Sequence, residues 1–462
     1  MTKPILPQRI RSPKKPAQPQ PTCLKRRFPK GSVYGLLNLL APTADQRTSA
    51  PISHFCADPE ARKSSMSTQA ALSYETDKTF LELLENDADE LASKLQALQR
   101  RIFPPLAKKA IRRLTSAEAA KFIGIAEGYL RQIAIDGKVE LSEPPVNGRR
   151  TYSVEDIAAI RELLDATNPS RQYVPHRQGD DKLQILSIIN FKGGSAKTTT
   201  TAHLAQYLAL KGYRVLAIDL DPQASLSTLF GHQPELDVGA DETLYGALRY
   251  DDRRVDIREI IRSTYLPGLH IIPGNLELME FETTTPRAKE ASTFFVRIAQ
   301  ALEPVEGEYD VVLVDCPPNL GYLTMAALCA ATSIMITVHP QMLDVLSMAQ
   351  FLRMTTDLLQ VINKARPIAN YDWMSYLITR YEPSDTPQNQ MVGFLRSLFG
   401  PRVMTNAMLK STAIADAGLS KQTLYEVDRQ KFNKGTYDRA MESLDLVNGE
   451  VEAHIRRTWG RV

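Results

Sequence analysis

LQILSIINFKGGSAKTTTTAHLAQYLAL, Leu183 to Leu210, decides how the rest of the chain is read. It opens as an apolar run, turns through glycine and lysine, and ends with apolar residues at helical spacing. Strand, loop and helix in that order form the context in which a loop cradles phosphate. Gly193 and Gly194 let backbone N–H groups approach an anion closely. The helix starting near Lys197 points its positive end at the same place. Yet the usual pattern wants glycine where this chain has Phe191 and Ala196. Ala196 adds one methyl, which is tolerable if the backbone there keeps a negative φ. In exchange the loop carries a second lysine, Lys192, ahead of Lys197. The run Lys192, Gly193, Gly194, Ser195, Ala196, Lys197, Thr198 and Thr199 is the candidate nucleotide cradle. Lys197 would contact the β- and γ-phosphates, and the Thr198 hydroxyl would ligate Mg²⁺.

Apolar runs recur downstream at 183–189, 214–220, 269–273, 310–315, 333–338 and 373–379, mostly separated by helical stretches such as 199–211 and 341–363. This alternation predicts an α/β fold with a mostly parallel, doubly wound sheet covered on both faces. Two runs end in carboxylates where a phosphate loop needs them. DLDPQASLS brings Asp219 and Asp221, and DVVLVD brings Asp315. A carboxylate at a strand end beside such a loop holds Mg²⁺ through a coordinated water. One acidic strand end alone is often only a cap; loop, acidic pair and strand-end aspartate in succession are not.

The chain has 462 residues, enough for two or three domains. Hydrophobic residues make up 43% and charged residues 24%, the balance of a soluble globular protein, and no apolar run is long enough to span a membrane. The net charge of +3 conceals an asymmetry. Residues 1–65 hold 12 Lys/Arg, 3 Asp/Glu and 10 of the 29 prolines, a local balance of +9 that leaves −6 for the remainder. Residues 1–70 are therefore expected to be a disordered basic tail. Met66 begins a sequence resembling a natural start, so the tail is either a start-site extension or a basic arm. The apolar piece within it is short and follows a long polar lead, unlike a signal peptide. Four cysteines, Cys23, Cys56, Cys316 and Cys329, lack zinc spacing. Cys316 and Cys329 read as small buried hydrophobes in a reducing cytoplasm.

Residues 71–105 contain an amphipathic helix, 77–101, with Phe80, Leu83, Leu84, Leu91, Leu95 and Leu98 on one stripe. It either packs on its own domain or forms a dimer seam. Residues 106–165 read as a helix-turn-helix unit. Thr115 is the N-cap with Glu118 completing a capping box, Gly124 makes the turn, a second helix follows, then NGRRTYS and a helix from Val154 to Leu164. Such a unit resembles a MerR-like winged helix-turn-helix. Tyr129, Arg131 and Gln132 would then lie on the recognition helix, and Arg149 and Arg150 would grip phosphate from the wing. The bland reading is a helical domain with a solvated basic hairpin. Residues 166–181 read as a linker and 182–462 as the nucleotide-binding domain.

Taken together, KGGSAKTT, DLDPQASLS and DCPP resemble the deviant Walker ATPases, the ParA, MinD, Soj and nitrogenase iron-protein group. HLAQYLALKGYRVLAIDLDPQASLSTLFG, YLITRYEPSD, MLKSTAIADAGLSKQTLYEV and TYDRAMESLDLVN are similar to the RepA partition ATPases of repABC-type plasmids and secondary replicons, across roughly residues 70–462. The resemblance implies ATP and Mg²⁺ as cofactors, slow ATP hydrolysis and a homodimer with nucleotide between the subunits. Lys192 would cross to the partner's phosphates, making ATP a ligand for dimerisation. Asp221 would position the attacking water, and Asp315 would begin the second switch. The resemblance also implies a ParB/RepB-like centromere-binding partner, operator and nonspecific DNA, a cytoplasmic, nucleoid-associated location and no membrane anchor. Lys410 stands where related ATPases carry a basic residue for sequence-independent DNA binding. A nucleotide-sensing repressor with incidental ATPase activity is the alternative. A metal cluster is disfavoured because Cys316 follows Asp315 directly and Cys329 falls within a helical stretch.

Overall fold

The computed structural model describes residues 79–102, 109–145, 148–365 and 370–461. The basic tail, Met66, Cys23 and Cys56 lie outside the described residues. Helix α1, Phe80–Ile102, carries the amphipathic stripe, and its Phe80, Leu83, Leu84, Leu91 and Leu95 are exposed; the side chain of Leu98 lies outside the described residues.

A helical unit follows. Strand β1 (Leu114–Thr115) pairs antiparallel with β2 (Thr151–Tyr152) and brackets helices α2 (Ser116–Ile123) and α3 (Glu127–Ile135). Thr115 caps α2 in a full capping box with Glu118, and Gly124 ends it at φ 84. Ser153 and Asp156 form a second capping box at the start of α4 (Val154–Thr167). The unit shares a core with the domain behind it. Phe122 packs edge-on against Tyr207, and buried Arg161 donates to the carbonyls of Phe122 (3.0 Å) and Leu210 (2.8 Å). The segment expected to be a linker is also tied down, with Arg177 N–H on the Asp310 carboxylate at 2.9 Å.

The main domain is built on a seven-stranded sheet. Its strands are β3 (Gln184–Ile189), β4 (Val215–Asp219), β5 (Arg262–Ser263), β6 (Leu269–Ile272), β7 (Val311–Asp315), β8 (Ser333–Val338) and β9 (Trp373–Ile378). The order is β5-β6-β4-β7-β3-β8-β9, all parallel except β5, a two-residue edge strand with no apolar run to announce it. Six strands match the six apolar runs because burial on both faces demands continuous hydrophobicity. Side chains alternate between two cores: Ile185, Ile189, Leu216, Ile218, Val312 and Val314 join one, while Leu186, Ile188, Val215, Ala217, Val311 and Leu313 join the other. The second core is closed by α5 (Lys197–Lys211), the last helix (Lys434–Thr458) and the helical unit.

The chain leaves β3 toward β4 on one side and returns to β8 on the other. This reversal opens a crevice at the carboxyl ends of the strands, where such sheets bind ligands. Register places the two acidic strand ends side by side, Asp219 opposite Asp315 and Asp315 opposite Ile188.

Candidate functional site

The loop after β3 lies in this crevice. A cavity of about 560 Å³ is lined by Gly193, Gly194, Ala196, Lys197, Thr198 and Thr199, with Asp221, Gln223 and Ser225 opposite. Thr228, Leu229, Pro318, Gly418 and Lys421 complete its wall; they fall within the family-like segments of the sequence, which assigned them no role. A larger groove of about 820 Å³ between helices 342–365 and 386–399 is mostly apolar and lacks the loop's backbone donors.

Ala196 overturns one expectation. It sits at φ 66, ψ 27, in the left-handed region, not at negative φ. The loop must turn sharply to deliver its backbone to the head of α5, and its surroundings hold it there. Thr200 donates from N–H (2.9 Å) and hydroxyl (2.7 Å) to the Ala196 carbonyl. The Thr379 hydroxyl donates to the Ser195 carbonyl at 3.0 Å, and that of Thr337 to Ser195 Oγ at 3.1 Å. Asn190 links Thr337 O to the Lys192 N–H. Backbone strain near 1–2 kcal/mol is sustained where neighbours over-determine the geometry.

Electrostatics divide the two lysines. Lys197 is buried, and burial lowers its pKa against the opposing pull of Asp315 and Asp221. Lys192 is about half exposed and turns to Asp344 in an ion pair; the other Asp344 oxygen lies 2.9 Å from His339 Nδ1. His339 is held below its ordinary value, first by burial and then by Arg380, Lys192 and Lys410. Neither Asp344 nor His339 was marked by sequence reasoning, since both lie about 150 residues from the loop.

The acidic residues also divide. Asp219 is fully buried and accepts from Ser227 N–H (2.8 Å) and Oγ (2.7 Å), so it shapes the 219–227 turn. Asp221 faces the cavity. Asp315 is fully buried, and burial raises its pKa, with Asp219 adding to the effect while Thr198 and Lys197 oppose it. Burial raises Asp219 too. One Asp315 oxygen lies 3.4 Å from Thr201 Oγ1, whereas Oδ2 is buried with no hydrogen-bond partner. An orphaned carboxylate oxygen beside the Thr198 hydroxyl is a hard-oxygen donor set that fits a divalent cation. Cys316 is buried, and burial pushes its thiol up, as expected of an inert core cysteine.

None of the proposed DNA contacts lines this cavity. On α3, Tyr129 is half exposed, Arg131 pairs with Glu127, and Gln132 donates to Asp136. Arg149 is exposed and Arg150 half-buried beside β2. Lys410 is exposed but paired with Glu382 at 2.8 Å.

An AAA domain family model matches residues 183–367. A Rhizobium rhizogenes protein named as replication protein A is 58% identical over 386 residues, covering 82% of this chain and 95% of its own. SopA of Escherichia coli strain K12 is 28% identical over 389 residues, 81% of this chain and 96% of its own. A solved structure described as a partition protein covers 82% of this chain and 98% of itself with a TM-score of 0.55; at 14% identity it bears on the fold.

Proposed function

The chain belongs to the family of the replication proteins A and the ParA-type partition ATPases such as SopA, and from that premise we propose that it hydrolyses ATP to drive DNA segregation. The observation that carries this reading is the different placing of two lysines on one loop. Lys197 is buried at the head of α5 among carboxylates; Lys192 stands outside, held by a salt bridge. One is placed to bind the chain's own nucleotide, the other to be released toward a second subunit. Leaving Asp344 for a partner's phosphates exchanges one anion for another, so ATP becomes a ligand for the dimer.

In this reading the loop N–H groups and Lys197 bind the phosphates, and Asp221 orients the attacking water. Thr198 and, through water, Asp315 would hold Mg²⁺, which supplies charge neutralisation at the phosphates. Arg149 and Arg150, with Tyr129, Arg131 and Gln132, serve operator DNA and autoregulation of the operon. Lys410 serves nonspecific DNA on the nucleoid once Glu382 gives way. A ParB/RepB-like partner stimulates turnover. The runner-up, a nucleotide-sensing repressor, draws on the core that the helical unit shares with α5.

Lys192→Ala is the test. It should keep ATP affinity but lose the ATP-dependent dimer in sedimentation, together with turnover stimulated by DNA and partner. Normal dimerisation by this variant refutes the role of Lys192. A wild-type protein whose hydrolysis ignores both DNA and partner supports the repressor.

A further inference from the structure

The end of β9 does more than finish the sheet. Thr379 and Arg380 leave the strand together and reach consecutive carbonyls of the phosphate loop. The Thr379 hydroxyl donates to Ser195 O at 3.0 Å, and Arg380 Nη1 donates to Gly194 O at 3.0 Å. Arg380 does this from φ 52, a left-handed backbone that an arginine adopts only under constraint. The constraint is visible on both sides. Met408 N–H bonds Ile378 O at 2.9 Å, Tyr381 N–H bonds Met408 O at 3.0 Å, and Lys410 N–H bonds Tyr381 O at 3.0 Å. Glycine or asparagine would fit such a turn at lower cost. Strain kept at a residue whose side chain ends on the nucleotide loop points to a role for that side chain.

We propose that Arg380 is a positioning residue of the nucleotide site, holding the Gly194 carbonyl away from the crevice so that the adjoining N–H groups stay turned to the phosphates. The proposal rests on the reading of the loop as an ATP site. A peptide unit points its N–H and C=O in opposite directions, so fixing the carbonyl of Gly194 fixes the N–H of Ser195. Gly194 is a glycine at φ 75, without a side chain to fix its conformation, and gains from such an anchor. Steric exclusion is not the device: a Cβ built on Gly194 would meet Arg380 Nη1 at 3.5 Å, an ordinary contact. The bond itself is the device. A guanidinium suits it because it stays charged and its donors are fixed in a plane. Among the described residues Arg380 forms no salt bridge to a carboxylate, and its charge adds to Lys192 and Lys410 in depressing His339. The same cation therefore raises the positive field around the loop.

The test uses the full chain, a fluorescent ATP analogue with Mg²⁺, and thermal melting. Arg380→Gly removes the guanidinium but relieves the backbone. It should melt within about 2 °C of wild type and bind the analogue about tenfold more weakly, the scale of one charge-assisted hydrogen bond. Arg380→Lys keeps a cation without the fork and should recover part of that affinity. In turnover, the loss should appear in KM more than in kcat. Unchanged analogue affinity in Arg380→Gly overturns the proposal. So does a large fall in melting temperature that parallels the loss of affinity, which would make Arg380 a brace of the fold alone. Failure of the wild-type protein itself to bind the analogue overturns the ATP reading, and the role of Arg380 with it.

Discussion

The helical unit and the nucleotide loop use the same left-handed turns, built from different residues. Among the described residues of 114–167, the turns fall on Gly124, Gly137 and Gly148. Around the crevice they fall on Gly194, but also on Ala196, Ala224, Arg380 and Lys421, four of the six non-glycine residues with positive φ in the described chain. The helical unit reaches its fold by local rules: two capping boxes and glycine where φ is positive. The crevice sets non-glycine residues in such turns, and its phosphate loop is held by long-range bonds from Thr337 in β8 and from Thr379 and Arg380 just past β9. Strain gathered mostly around one cavity, with Gln172 and Asp241 as the two exceptions, is the distribution expected when a site is preorganised for a ligand.

Removing the buried cation of the strained loop should affect the crevice and spare the helical unit. Lys197→Ala should weaken ATP binding by about 100-fold or more, since a charge-assisted contact to phosphate is lost in a largely buried position. Arg131→Ala, in the relaxed unit, should leave ATP affinity unchanged. Equal losses measured by equilibrium binding would mean that the two regions are not functionally distinct.

A smaller effect concerns the buried carboxylates. Asp219 and Asp315 have folded-state pKa values raised by burial. The folded state therefore holds more protons than the unfolded state above the ordinary carboxylate range, and stability of the nucleotide-free protein falls as pH rises through that window. Asp315→Asn removes one of these groups. Between pH 5 and pH 8 its urea midpoint should fall less than that of wild type, by the equivalent of about 1 kcal/mol or more, while Mg²⁺-dependent hydrolysis is lost. Parallel pH profiles would show that Asp315 is not held protonated.

The smallest effect is a pair with opposite signs. Gly124→Ala puts a Cβ into open space at φ 84, so its cost is backbone strain alone, about 1 kcal/mol of lost stability. Ala196→Gly relieves strain of that size but restores glycine's unfolded-state entropy, for a net gain of about 0.5 kcal/mol. Chemical denaturation of both variants reads the two signs. A destabilised Ala196→Gly would mean that the methyl group packs usefully and that the loop is not strained.

Much of this was legible in the sequence because it depends on short range. Six buried strands announce themselves as unbroken apolar runs, the Thr115–Glu118 capping box closes over three residues, and Asp315 lies where an apolar run meets a polar turn. The two-residue β5 was missed because so short an edge strand has no pattern. Ala196 departs from its expected negative φ in a loop whose preceding residue, Ser195, is bonded by Thr337 and Thr379, roughly 140 and 180 residues away. Asp344 as the partner of Lys192, Glu382 as that of Lys410, the Arg380 bond to Gly194 and the core shared by the helical unit with α5 are likewise meetings between distant segments. Six of the seven strands and the place of the loop between β3 and α5 could be read along the chain. The backbone conformation of the loop and the groups that each cation faces could not, because strand order and packing settle them rather than neighbours along the chain.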